Sequence, residues 1–596
     1  MMDGVDLTAH LLALAQRQPA RPALLAPGRA TMSFGALGRH IERTAAQLAQ
    51  WGIGRGDVVA WANGDRAETA AALAILPVSA TIAPLAPRAT FDALCDLLRR
   101  LAPKAVVVPA HDDAVVVRAA RLLGLATLTT VPGAHLQAGA FDLVLQEPTA
   151  SLDRATRFPA SYACIGATSG ATGKPKLVSH GHRQILRTAF AVGERLGLGP
   201  DDIAGHVTPL HLAGGMRNAY FQVLVNGGGV NCLPEAEIEP FLDAVGDGDV
   251  TYTSTSFAIH REILARLEAG RRYVRGRLRC VRIASGRMEP GELDRLERAL
   301  DVPVVTGLAS SETGTTAQQS PRAGRKRGSV GPVVDSDIRI VDADGRIVAP
   351  GEAGELQVRG PQLFDGYIDD DALNAASFVD GWYRMGDVVR IDDDGDLFIV
   401  GRTKDVISRG GDKIAPLEID AVLLAQPGVA DAAAFGVPHP RLGEEVVAAV
   451  VLEAGVEADA EAILGALRET LGARRAPRRL WFVASLPRTD VGKLQRTALP
   501  DWVGFRPAED AEATRPAFDG SPLEHALAPL WASVLACDCV ARDAAFYAQG
   551  GDDERAARLV AQVGAVFGVA LPPDALRDEA ATLAAMARLI ERARAA

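Results

Sequence analysis

Cysteine is scarce in this 596-residue chain, and the six present (Cys95, Cys164, Cys232, Cys280, Cys537, Cys539) have neither metal-ligand nor disulfide spacing. Cys537-Asp538-Cys539 is one residue short of a Cys-x-x-Cys pair. A zinc module or a disulfide scaffold is therefore disfavoured, and a reduced, cytoplasmic setting is expected. No apolar run approaches the roughly 18 residues of a membrane span. Met1-Met2-Asp3-Gly4 carries no basic region and no signal-like core, so no membrane association is expected. The net charge of −11 leaves no basic footprint, and nucleic acid is not an expected partner. Internal repeats are absent. So is the Gly-x-x-x-x-Gly-Lys-Ser/Thr spacing of a Walker loop, which disfavours that class of nucleoside triphosphatase.

What the chain does have is 48% apolar residues, enough for sizeable cores. Over residues 1–401, short apolar runs such as Val58-Val59-Ala60-Trp61 and Ala105-Val106-Val107-Val108 alternate with helical stretches such as Phe91 to Leu101. That alternation predicts βα units and largely parallel sheets. A smaller α/β unit follows over 402–500. Residues 501–522, rich in Pro, Ala, Asp and Glu, read as a linker. Residues 523–596 place Leu527, Leu530, Trp531, Val534 and Leu535 at helical spacing and predict a compact helical region.

The most informative stretch is Thr168-Ser169-Gly170-Ala171-Thr172-Gly173-Lys174-Pro175-Lys176. Its glycines let backbone N–H groups turn toward an anion, while its hydroxyl and ammonium groups add donors and charge. Such a loop suits a polyphosphate. Further signatures follow in order: Leu308-Ala309-Ser310-Ser311-Glu312, Gly381-Trp382-Tyr383-Arg384-Met385-Gly386-Asp387, Gly401-Arg402-Thr403-Lys404-Asp405 and Pro487-Arg488-Thr489-Asp490-Val491-Gly492-Lys493. Each alone is weak. Together, in this order, they resemble the adenylate-forming superfamily of acyl-CoA synthetases, peptide-synthetase adenylation domains and luciferases.

The resemblance implies a large multi-sheet α/β domain, a small mobile α/β subdomain, and ATP-dependent conversion of a carboxylic acid to an acyl-adenylate. It assigns the phosphates of ATP to Thr168, Ser169, Gly170, Thr172, Gly173, Lys174, Lys176 and Ser311. It assigns Mg²⁺ to Glu312, the ribose hydroxyls to Asp387 and a further nucleotide contact to Arg402. Lys493 becomes the catalytic lysine bridging carboxylate and phosphate oxygens. Lys404 becomes the hinge at which the subdomain swings between adenylation and thiol transfer. After that swing, Arg409, Gly410 and Gly411 would line the tunnel for CoA, or for the phosphopantetheine of a separate carrier protein acting in trans. Arg475 and Arg478 would face the nucleotide end of CoA.

The family's acyl-pocket motif stands here as Pro209-Leu210-His211-Leu212-Ala213-Gly214-Gly215. The resemblance gives the pocket His211, Leu212, Gly214, Arg217, Ser285 and Gly286. Leu212 occupies the position of the Asp that clamps an α-amino group in amino-acid-activating domains. An ammonium against a leucine would be unpaired and costly, so a small carboxylic acid without a free α-amino group is expected. Arg217 and Asn218 could read a polar or anionic tail, or serve the structure only. Ala171, Leu177, Leu308 and Met385 depart from the family pattern, and a catalytically impaired scaffold on the same fold is the alternative.

Residues 523–596 resemble a carrier-protein domain, implying an all-α bundle. Gly550-Gly551-Asp552-Asp553 places Asp553 where carriers have the serine that takes the phosphopantetheine arm, and no serine follows Ser533. A carboxylate cannot act as that acceptor, so a degenerate carrier is expected.

Overall fold

A computed structural model describes residues 6–595 apart from 65, 110–113, 133–136, 147–151, 153, 169–174, 285, 287, 289, 323, 457, 490–491, 506–519, 536–539, 573 and 578–580. The chain separates into two compact units, residues 1–399 and 400–596.

In the first unit, Val58–Trp61 and Ala105–Val108 are strands buried along their whole length. Continuous burial of this kind marks the interior of a parallel sheet covered by helices on both faces. They lie in a seven-stranded sheet ordered Phe141–Gln146, Ala126–Pro132, Ala105–Val108, Val58–Trp61, Thr81–Pro84, Tyr162–Thr168, Lys176–Gly181. Its interior pairs are parallel, and only the outermost pair at each end is antiparallel. An eight-stranded sheet repeats the plan, with the antiparallel pair Val304–Ser310 and Gly314–Gln318 at one edge. The expected helix Phe91–Leu101 is present. Thr90 caps its first turn by accepting from Ala93 N, and Leu94, Cys95, Leu98 and Leu101 form its buried stripe.

The parallel expectation fails for the third sheet. Gly331–Pro332 pairs antiparallel with Asp396–Arg402, and Gly354–Arg359 pairs antiparallel with both Trp382–Ile391 and Asp337–Val341. The link from Trp382–Ile391 to Asp396–Arg402 is Asp392-Asp393-Asp394-Gly395, in which Asp392 Oδ1 accepts from Asp394 N and Asp396 N. A turn this short can join only antiparallel neighbours.

In the second unit, Asp412–Ile414, Ile407–Arg409, Gly443–Leu452 and Val429–His439 form an antiparallel sheet, and Leu480–Phe482 adds in parallel to Gly443–Leu452. Helices Pro416–Leu424 and Ala460–Leu471 pack Ile419, Leu423, Leu464 and Leu467 against Val446 and Ala448. Helices Pro522–Leu535, Asp553–Phe567 and Leu583–Ala595 build a separate core from Leu527, Trp531, Phe546, Leu559, Val563, Met586 and Ile590. Of the expected stripe, Leu527, Trp531, Val534 and Leu535 are buried and Leu530 is half-buried.

The α/β class, the large first part, the small α/β part and the terminal helical region all stand as the sequence implied. Among the described residues no helix is long and apolar enough to cross a membrane. Cys95, Cys164, Cys232 and Cys280 are buried free thiols; Cys537 and Cys539 lie outside the described residues.

Candidate active site

Thr168 and Lys176 are the last paired residues of the hairpin Tyr162–Thr168/Lys176–Gly181. The expected phosphate ligands between them, Ser169, Gly170, Thr172, Gly173 and Lys174, fall outside the described residues. Lys176 holds its ammonium 4.8 Å from the centroid of the Tyr367 ring, a cation–π contact. The Tyr367 hydroxyl donates to Glu312 Oε1 at 2.8 Å and lies 3.0 Å from the Tyr383 hydroxyl. One cluster therefore gathers residues from a hairpin, a strand-end turn, a loop and a third-sheet strand.

The backbone of Glu312 is fixed on both sides. Ser310 Oγ accepts from Glu312 N at 3.2 Å and Thr313 N at 3.0 Å, and Glu312 O accepts from Phe364 N at 2.8 Å. A serine closing a turn on the two following amides is a local device. Here it aims a carboxylate out of the edge of the eight-stranded sheet. Burial, and then the Glu312 charge, push the Tyr367 and Tyr383 phenols well above their ordinary range, so both stay protonated. Asp387 shares the strand Trp382–Ile391 with Tyr383. The two-residue period puts Tyr383, Met385 and Asp387 on its one buried face.

Two departures from the family pattern acquire a packing reason. Leu308 and Met385 belong to one buried apolar cluster with Phe364, Tyr367 and Tyr383.

The segment 209–215 runs into a π-helical turn, Met216–Tyr220, a widening often found at functional sites. Gly215 admits the start of this helix, because a Cβ there would fall 2.0 Å from Pro209 O. His211, Leu212 and Gly214 sit half-buried ahead of it. Burial first, then the Arg66 charge, lower the His211 imidazole below its ordinary value, which favours the neutral form. Gly286 faces Phe257 so closely that a Cβ would meet ring carbon Cδ1 at 2.0 Å; Ser285 lies outside the described residues. Arg217 has no solvent exposure. Its Nη2 donates to Gln362 O at 2.6 Å and Thr188 Oγ1 at 2.9 Å, and its Nη1 to Ser311 O at 3.4 Å. These bonds tie its guanidinium to three parts of the fold, while its Nε is buried without a partner.

In the second unit, Arg402 is the exposed last residue of the strand Asp396–Arg402, and Lys404 stands exposed in the turn Thr403–Asp405. Lys493 is exposed on a tight hairpin, where Thr489 N donates to Lys493 O at 2.8 Å and Gly492 N to Thr489 O at 2.7 Å. Gly410 and Gly411 form the two-residue turn of the hairpin Ile407–Arg409/Asp412–Ile414 with φ of 57° and 94°. Both lie in the left-handed region, so the turn itself requires glycine. Arg409 is buried and ion-paired with Glu445 at 2.5 Å. Arg475 pairs with Glu418.

In the helical region, Asp553 opens the helix Asp553–Phe567. Its Oδ1 accepts from Tyr547 OH at 2.8 Å and Arg577 Nη2 at 2.6 Å, and the Arg577 guanidinium lies over the Tyr547 ring. Arg577 is the first cause holding this carboxyl below its ordinary range, with Tyr547 second.

Sequence reasoning does not single out Tyr367, Tyr383 or Ser310. Nothing in their spacing pairs position 312 with 367; only the fold does.

The AMP-binding enzyme family matches residues 12–368, its C-terminal domain residues 418–493, and the phosphopantetheine attachment site family residues 525–590. The chain belongs to the AMP-binding enzyme family. Within it, a probable CoA ligase of Humulus lupulus is 31% identical over 83% of this chain and 96% of its own length. An oxalate–CoA ligase of Arabidopsis thaliana is 32% identical over 83% and 98%. The ATP-bound structure of MatB from Rhodopseudomonas palustris superposes with a TM-score of 0.73 at 24% identity, covering 84% of this chain and 99% of that one, a likeness of fold. This family member is an AMP-forming ligase.

Proposed function

We propose that this ligase activates a small carboxylic acid without a free α-amino group as its acyl-adenylate and passes the acyl group to a thiol. The acceptor is CoA, or the phosphopantetheine of a carrier protein in trans. The CoA ligases among its relatives support the thiol. The single observation that carries the reading is the Lys176–Tyr367–Glu312–Tyr383 cluster. It sets a cation from the end of the hairpin Tyr162–Thr168/Lys176–Gly181 beside an oriented carboxylate, and the sequence joining that hairpin suits a polyphosphate.

The donor set fits magnesium. Mg²⁺ prefers hard oxygens and takes one or two protein carboxylates, sharing the rest with substrate phosphates and water. Glu312 offers such a carboxylate, with Oε1 oriented by Tyr367. Bound there, the ion would neutralise charge on the polyphosphate. Thr168, the loop through Lys174, Lys176 and Ser311 would hold the remaining phosphate oxygens. Asp387 would accept from the ribose hydroxyls and Arg402 would add a nucleotide contact. Lys493 is suited to bridge the acid and phosphate oxygens, since a flexible stem lets one ammonium follow both anions. His211, Leu212, Gly214, Ser285 and Gly286 would shape the acid pocket, and neutral Leu212 rejects an ammonium. Lys404 would be the hinge, with the Gly410–Gly411 turn presented to the thiol.

The terminal helical region is read as a degenerate carrier. Asp553 has no hydroxyl to accept an arm, and Tyr547 and Arg577 already engage its carboxylate.

Pyrophosphate release with a panel of small alkyl, aryl and dicarboxylic acids tests the reading. Release with one class, and thioester only when CoA or a holo-carrier is added, is expected. Silence across the panel would favour a scaffold.

A further inference from the structure

Arg217 is a buried cation with no carboxylate among its hydrogen-bond partners. Burying an uncompensated charge costs several kcal/mol, so its bonds show what that cost secures. They converge on three separate pieces of the chain. One is the helix His182–Leu196, through Thr188 Oγ1 at 2.9 Å and Gln184 O at 3.4 Å. Another is the loop at Gln362, through its carbonyl at 2.6 Å. The last is Ser311, whose carbonyl immediately precedes Glu312. Gln362 in turn donates to Thr315 O at 3.0 Å and Val334 O at 3.2 Å, so the far side of the turn is held through the same residue. The turn is cut to fit the guanidinium. Gly314 has φ of +65°, and a Cβ there would sit 2.7 Å from Arg217 Nη2 and 2.8 Å from Cζ. The planar fork reaches several acceptors at once, which an ammonium cannot do. Burial lowers the Arg217 pKa, and the Glu312 charge acts in the opposite sense, favouring the ionised form.

We propose that Arg217 is a positioning residue that clamps the Ser311–Glu312 turn to the helix His182–Leu196 and to Gln362, and so presets the Glu312 carboxylate for the metal–nucleotide. The proposal rests on the reading of Glu312 as the metal carboxylate. It separates Arg217 from Arg282, an equally buried arginine bonded to Gln318, Asn218 O, Ser254 and Thr315, with no bond to Ser311 or Glu312.

The test is calorimetric binding of α,β-methylene ATP to the full chain, with magnesium and with EDTA, alongside thermal unfolding. Arg217→Lys keeps the charge and loses the fork. It should weaken binding about tenfold with magnesium, as loss of one or two charge-assisted bonds predicts, and by less than about twofold in EDTA. Thr188→Val, which removes one acceptor and no charge, should move the same way by about threefold. Arg282→Lys should leave the magnesium-linked gain in affinity unchanged. Wild-type magnesium linkage in both Arg217→Lys and Thr188→Val would overturn the proposal, as would equal losses with and without metal. Glu312→Gln separates the two readings. If it erases the magnesium linkage while Arg217→Lys preserves it, the clamp alone is wrong. If Glu312→Gln preserves the linkage, the metal reading of Glu312 fails and the clamp fails with it.

Discussion

Breaking the Arg409–Glu445 pair gives the sharpest test of how the second unit is held together. Both side chains are 8% exposed and meet at 2.5 Å, and Arg409 also donates to Arg474 O at 3.3 Å. The pair ties the strand Ile407–Arg409, next to the Gly410–Gly411 turn, to the strand Gly443–Leu452. Removing one partner of a buried pair leaves an uncompensated charge and costs about 3–5 kcal/mol, whereas replacing both by apolar groups is close to neutral. Arg409→Met should therefore destabilise this unit by about 3 kcal/mol or more. Arg409→Met combined with Glu445→Leu should recover most of the loss. Scanning calorimetry of the full chain, with the transition of the second unit followed separately, measures both. A single variant that melts with wild type, or a double variant no better than the single, would refute the reasoning. Thioester formation assayed on the double variant then isolates any direct part Arg409 plays with the thiol, because stability has been restored.

Lys493→Ala should abolish pyrophosphate release while leaving ATP binding and thiolation of a supplied acyl-adenylate nearly intact; wild-type adenylate formation would refute its assignment. Incubation of the wild type with a promiscuous phosphopantetheinyl transferase and CoA should add no mass, whereas Asp553→Ser should gain one arm by intact mass spectrometry. Burial lowers His40, His182 and His260 from 6.5 to about 4. A depressed histidine means the unfolded chain binds the extra proton, so stability is complete above 6.5 and falls as pH drops from 6.5 toward 4. Unfolding free energies from urea titrations across that window should decline, by up to about 1.4 kcal/mol per pH unit for each histidine, and His40→Gln should flatten the slope.

The sequence shows clearly whatever is periodic or contiguous. Val58–Trp61 and the helix Phe91–Leu101 announce themselves by burial pattern, and the signatures around Glu312, Asp387 and Lys493 are short strings. What it hides depends on residues far apart in the chain meeting. Tyr367 reads as one more aromatic until the fold sets its hydroxyl on Glu312. The antiparallel third sheet is written in turns such as Asp392-Asp393-Asp394-Gly395, which look like surface loops when helices and strands are counted. Arg217 stands beside a pocket motif, and only the fold supplies its partners at 188, 311 and 362. For the Gly410–Gly411 pair the fold adds a local reason: left-handed φ at both positions calls for glycine in the turn itself.

The start of the helix Asp553–Phe567 stabilises the bundle by its charge. Asp552 caps it by accepting from Arg555 N at 2.8 Å, and Asp553 and Glu554 add negative charge to the first turn, where the helix dipole favours it. Aspartate at position 553 is thus good for the bundle on its own account, and Arg577 reinforces it. Asp553→Ser therefore trades stability for a hydroxyl. It removes a first-turn charge and the ion pair to Arg577, so the variant asked to accept an arm should melt somewhat below the wild type.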